Sequence, residues 1–247
     1  MSEYLELSPD ERRRVYYACP SFTESPEMLL YIDDPLGYIR DFHLDQDSLA
    51  HNPSSSEVDA LLGWRMRDIE NAVSESAPKR ADIYDGERPW LGGSEGIWTA
   101  YPKIRSTIHA IDPTEGQTFY DLGSGQGRVV MYGSIVSGAT FKGVEMVSER
   151  VAEAKRIRDK HSLTNAEFIL SSVLDVDFSD GDIFYMYAPF SDSTRDQVLD
   201  KLNTLATEKL IKVVAYLGSG TVIQKCPNLQ FDQEVVGHPI SIFSSRN

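Results

Sequence analysis

Asp121-Leu122-Gly123-Ser124-Gly125-Gln126-Gly127-Arg128 sets three glycines at alternate positions behind an acid. Glycine has no Cβ, so it takes positive φ readily and lets a ligand come close to the backbone. The turn follows an apolar run, Thr118 to Leu122. Open α/β sheets bind ligands at the carboxyl ends of such strands. Glu145 comes 24 residues after Asp121, at the end of a second apolar run that starts at Phe141. An acid in that place accepts hydrogen bonds from two ribose hydroxyls. Turn and acid together point to a cofactor that contains a nucleoside. A dinucleotide asks for Gly-x-Gly-x-x-Gly, with its pyrophosphate on the helix N-terminus. This chain has Gly-x-Gly-x-Gly and carries Arg128 at the third dinucleotide position. Arg128 there crowds the helix–strand approach and disfavours an NAD-dependent oxidoreductase.

Strands and helices must hold these residues in place. Pro102, Ile104, Ile108 and Ile111 predict a helix leading to the first strand. Val129 to Val136 predicts a helix ending at Gly138, and Ser148 is expected to cap another that carries Val151, Ala154 and Ile157. Further strands are expected at Glu167 to Ser171, Asp182 to Tyr187 and Ile211 to Leu217, with a helix over Val198, Leu202 and Leu205. Strands alternating with helices imply parallel pairing with helices on both faces. Leu229 to Val236 and Ile240 to Phe243 have no helix between them, which predicts an antiparallel hairpin at the sheet edge. The first part of the chain reads as helices. Ser8-Pro9-Asp10-Glu11 is a capping box, Ser25-Pro26-Glu27 repeats the start signal, and Val58, Leu61, Leu62 and Ile69 share one face of a helix from Ser56 to Val73. The stretch from Ser74 to Gly96 is a candidate linker or lid.

The glycine turn resembles motif I of the class I S-adenosylmethionine-dependent methyltransferases, and the resemblance extends over residues 100–247. It implies an α/β, Rossmann-like and mostly parallel sheet with an antiparallel edge strand. It also implies S-adenosyl-L-methionine as cofactor and transfer of its methyl group to an acceptor. By position, Asp121, Gly123, Ser124, Gly125 and Gly127 line the methionine side. Glu145 holds the ribose, Met146 lies on the adenine face, and Ser172 with Val173 reaches the adenine edge. Many relatives place Asp where Ser172 stands, so Asp175 or backbone is left to meet the adenine amino group. Tyr187-Ala188-Pro189-Phe190 is similar to a degraded Asp/Asn-Pro-Pro-Tyr motif of amino-group methyltransferases, without its polar residue and first proline. Tyr187 is the catalytic candidate, orienting an acceptor lone pair. Trp98, Tyr101, Pro189 and Phe190 are the substrate-side candidates, and plain packing stays open for each. Methyl transfer from a sulfonium relies on positioning, so neither a nucleophilic triad nor a metal is expected. His43, His51, His109, His161 and His238 show no ligand spacing. A non-catalytic scaffold that keeps the cofactor pocket remains the alternative from another class.

Charge divides the 247 residues unevenly: the net charge is -14. Residues 1–95 hold 20 acidic and 9 basic side chains, and residues 96–247 hold 18 and 15. This division suggests an acidic helical extension on the substrate side over 1–95 and a cofactor-binding domain over 96–247. The extension favours a cationic acceptor, such as a lysine- or arginine-containing protein segment or a polyamine, and disfavours direct nucleic-acid binding. A small neutral or aromatic metabolite suits the aromatic candidates nearly as well. Cys19 and Cys226 are too few and too far apart for a disulfide framework. No apolar run spans a bilayer and the first residues do not read as a signal peptide, so the expected location is cytoplasmic with no membrane partner.

Overall fold

Near-continuous apolar strands, buried on both faces, build the centre of the molecule. The computed structural model describes residues 31–44, 54–76, 98–187, 190, 192–216, 223 and 226–246. The start signals at Ser8 and Ser25, the candidate linker or lid from residue 77 onward, His51 and Pro189 lie outside the described residues. The strands are β1 (Thr118–Leu122), β2 (Thr140–Glu145), β3 (Ala166–Leu170), β4 (Ile183–Tyr187), β5 (Lys212–Tyr216), β6 (Leu229–Glu234) and β7 (Ile240–Ser245). They form one sheet in the order β3-β2-β1-β4-β5-β7-β6. The first five are parallel, and β7 lies antiparallel between β5 and β6. The chain runs outward from β1 through β2 to β3 and then crosses back to β4 on the other side of β1, so the order reverses beside β1, and that reversal opens a crevice at the carboxyl ends of the strands.

Seven helices are described: α1 (Pro35–Leu44), α2 (Ser55–Leu62), α3 (Met66–Ser76), α4 (Tyr101–Ile111), α5 (Arg128–Val136), α6 (Ser148–Lys160) and α7 (Asp192–Glu208). One face of the sheet, with Phe119, Phe141 and Tyr185, packs against α1, α2, α4, α5 and α6. The other, with Tyr120, Leu122 and Phe184, packs against Val198, Leu199 and Leu202 of α7. Helices therefore cover both faces, as a parallel sheet requires. Tyr38, Ile39, Phe42, Val58, Leu62 and Trp64 share one apolar cluster with Ile104, Val130 and Phe141.

Two local expectations need correction. The helix expected from Ser56 to Val73 is two helices, because Gly63 takes φ 92 and ends α2. A left-handed residue just past the last turn is the usual helix stop, and glycine adopts it without strain. The start signal is a capping box at Ser54: the Glu57 amide donates to its hydroxyl at 3.3 Å, and its own amide donates to the Glu57 carboxylate at 3.0 Å. Ser148 does not cap α6 either. Val147 holds the cap position with no side-chain bond, and the Ser148 hydroxyl donates to Glu149 at 2.9 Å.

Candidate functional site

After β1 the chain turns through Gly123 at φ 83, Gly125 at φ 55 and Gly127 at φ 90. The amides of Gly123 and Ser124 both donate to the Val144 carbonyl at 2.9 Å, tying the turn to the end of β2. Two of the glycines serve different ends. A Cβ on Gly127 would stand 2.3 Å from a ring carbon of Phe168, so this position lets α5 approach the sheet. A Cβ on Gly125 would meet nothing within 4 Å among the described residues. The turn is packed behind and open at Gly125.

Glu145 closes one side of that opening. Its Oε2 accepts from the Gly125 amide at 2.9 Å, and its Oε1 from the Val147 amide at 2.9 Å. A carboxylate offers about four lone-pair sites, so roughly half stay available to hydroxyl donors. Arg150 stands 3.8 Å from Glu145 and pairs with Glu70 of α3 at 2.8 Å. Glu70 also accepts from Gln126 at 3.0 Å, so α3 braces the glycine turn. Ser124 Oγ and Gln126 Oε1 are buried with no hydrogen-bond partner among the described residues. Met146, next in sequence to the acid, is 40% exposed.

Asp121 is buried at the start of the turn. Burial, with the Glu145 charge as a second cause, pushes its carboxyl up to about 8. The folded chain thus holds this proton between about pH 4 and 8 while the unfolded chain releases it, so stability falls as pH rises through that window. Asp121→Asn removes the titration. The variant should match the wild type near pH 4 and gain on it by up to about 1.4 kcal/mol per pH unit as pH rises towards 8. Urea unfolding at three pH values measures this, and a constant difference would refute it.

Arg128 opens α5 and reaches away from the turn into the N-terminal helices. Its guanidinium forms a buried ion pair with Asp59 of α2 and donates to the Thr99 carbonyl at 3.0 Å. Tyr101 donates to the same carboxylate at 2.9 Å, and its ring lies 5.0 Å below the guanidinium. Burial pushes the Asp59 carboxyl up, against the pull of Arg128.

The remaining sequence candidates fall in several places. Tyr101 is 1% exposed and packs in the core around this ion pair, while Trp98 is half-buried with Arg128 5.6 Å from its ring. Ser172 Oγ accepts from the Leu174 amide at 3.2 Å and so caps its own turn. Val173 is buried in the cluster on the α7 side, and Asp175 is exposed. Tyr187 ends β4 half-buried, and Phe190 packs against the α7 side. His43 stacks on His109 at 4.0 Å between α1 and α4, far in role from any ligand set. Among the described residues no three His, Cys, Asp or Glu side chains gather as a metal site, and no helix is long and apolar enough to cross a membrane. Residue spacing did not reveal Glu70, Gln126 and Arg150, nor Lys103, which donates to Tyr216 at 2.8 Å.

No family model matches the chain, and no curated protein matches it. Several solved structures are similar to it. An RNA methyltransferase from Salinibacter ruber, in complex with S-adenosyl-L-homocysteine, is 19% identical with a TM-score of 0.45, covering 60% of this chain and 92% of its own. A precorrin-6Y C5,15-methyltransferase from Geobacter metallireducens is 14% identical with a TM-score of 0.48, covering 62% and 92%. A SAM-dependent methyltransferase from Aquifex aeolicus is 14% identical with a TM-score of 0.47, covering 71% and 97%. At TM-scores below 0.5 these likenesses carry no argument about this chain. The strand order, with β7 turned antiparallel between β5 and β6, decides the fold. The chain has a Rossmann-like α/β fold with an antiparallel sheet edge. In this fold the glycine turn and Glu145 end neighbouring strands, and Tyr187 and Tyr216 end the next two on the other side of β1.

Proposed function

We propose that this chain is an S-adenosylmethionine-dependent methyltransferase. The supporting observation is the open cradle at Gly125, bounded by a Glu145 carboxylate that two backbone amides hold in place. The residues fit the cofactor. Glu145 would hold the ribose hydroxyls, Met146 would cover the adenine, and Asp121 with the Gly123–Gly127 turn would meet the methionine end. S-adenosylmethionine supplies an activated methyl group on a sulfonium. The protein's own part is to orient, to exclude water and to receive the acceptor's proton. Arg128 argues against a dinucleotide, since its side chain occupies the packed junction with Asp59 that a third glycine would leave open. Residues 1–95 serve on this reading as the acceptor side of the site, and 96–247 as the cofactor domain. Their acidic balance favours a cationic or neutral acceptor over a polyanion.

A thermal-shift comparison tests the proposal. S-adenosylhomocysteine at 100 times its Kd should stabilise the protein by about 2.7 kcal/mol, because it binds only the native state. Stabilisation by NADH with none from S-adenosylhomocysteine would overturn it.

A further inference from the structure

Lys103 stands in the first turn of α4. Among the described residues no carboxylate lies within ion-pair distance of its ammonium. Its hydrogen bond goes to a phenol, Tyr216 Oη, at 2.8 Å. Tyr216 and Tyr187 are register partners at the last positions of β5 and β4, and their rings stack at 4.0 Å and 10°. The Lys103 ammonium therefore meets the Tyr216 phenol oxygen at the strand ends where this fold places ligands. Such an arrangement stabilises negative charge there, on Tyr216 or on a ligand oxygen next to it.

The surroundings agree. The Lys103 hydrogen bond pulls the Tyr216 phenol below its usual range, while burial pushes Tyr187 up. Tyr216 is thus the first of the pair to ionise. His238, whose Nε2 is 3.2 Å from Ser106 of α4, is held below its usual range by burial and by Lys103, so it adds no second cation. Tyr185, the other phenol nearby, is pushed up by burial. An ammonium acceptor would be repelled by Lys103. An acidic hydroxyl would gain from it.

We propose that Lys103, Tyr216 and Tyr187 form the acceptor end of the site and that the acceptor is an aromatic hydroxyl, with Tyr216 taking its proton. This rests on the methyl-transfer reading above. The acceptor's O–H proton passes to the Tyr216 phenolate, and Lys103 stabilises the charge that moves to the acceptor oxygen. That oxygen forms the new bond to the methyl carbon, the carbon–sulfur bond breaks with its electron pair on sulfur, and Tyr216 later returns its proton to water. The half-buried ring of Tyr187 supplies an apolar face for the acceptor.

The test uses the full chain saturated with S-adenosylhomocysteine and 4-nitrophenol as probe. The probe should bind with its absorption moved towards the phenolate form. Lys103→Met should weaken it by about tenfold, the loss of one charge-assisted hydrogen bond. In ultraviolet titration, Tyr216→Phe should remove the earliest phenolate transition, and Lys103→Met should move that transition to higher pH. Absence of probe binding, equal binding by the Lys103 variant, displacement of the probe by spermidine, or an unchanged titration in Tyr216→Phe would each overturn the proposal. Failure of the wild type to bind S-adenosylhomocysteine would instead sink the cofactor reading, and the probe and titration would still judge the cluster without it.

Discussion

Glu145→Ala should weaken S-adenosylhomocysteine binding by about 100-fold. Two hydrogen bonds to a charged carboxylate contribute about 1.5–3 kcal/mol each, and even their partial loss reaches that factor. A second effect follows from the free protein. The Gly125 and Val147 amides both donate to this carboxylate at 2.9 Å, so its removal also loosens the turn that it anchors. Glu145→Gln separates the two effects. Its amide keeps one acceptor for Gly125 or Val147 but presents donors to the other, so affinity should fall to an intermediate value with less disturbance of the turn. Isothermal titration of both variants provides the comparison. Unchanged affinity in Glu145→Ala would remove the acid from the binding site.

Arg128→Ala should destabilise the folded chain by about 3–5 kcal/mol, because it strands the Asp59 carboxylate in a buried site. Tyr101 keeps one hydrogen bond to that carboxylate, and the Thr99 carbonyl loses its donor. The urea midpoint should fall by about 1 M or more. Replacing the pair together, Arg128→Met with Asp59→Leu, should restore most of the loss, since paired apolar residues of similar volume often match a buried ion pair. A single variant within about 1 kcal/mol of wild type would show that the pair contributes little at this junction.

Much of the sheet was legible because each strand reads as a short apolar run bounded by turn residues. Thr118 to Leu122 was read at its true ends, and the strands ending at Glu145 and Tyr187 were placed to within one residue at either end. The terminal hairpin was legible for the same reason, as two runs with no helix between them. The helix break at Gly63 was not. Val58, Leu61, Leu62 and Ile69 do share a helical period, and the period runs through the glycine without recording its left-handed φ. The Ser54 and Glu57 pair carried the missing start signal. At the site, the glycine turn and Glu145 were visible through spacing, because one local turn and one strand end set their relation. Lys103 with Tyr216, and Glu70 with Gln126 and Arg150, meet only through tertiary packing across 113, 56 and 80 positions of sequence. No local pattern encodes such meetings.

The buried partnership of Arg128 and Asp59 also constrains how this chain can drift over generations. A descendant that exchanged Arg128 for glycine, and so moved towards the dinucleotide spacing, would inherit a buried anion with no counter-ion. Losing Asp59 first would strand the guanidinium instead. Both orders pass through a poorly folded ancestor, and each step alone consumes a large share of the stability of an ordinary domain. Only a near-simultaneous change, or a prior surplus of stability gained elsewhere, opens that route. The junction between the N-terminal helices and the glycine turn therefore acts as a historical lock on the spacing Gly-x-Gly-x-Gly-Arg.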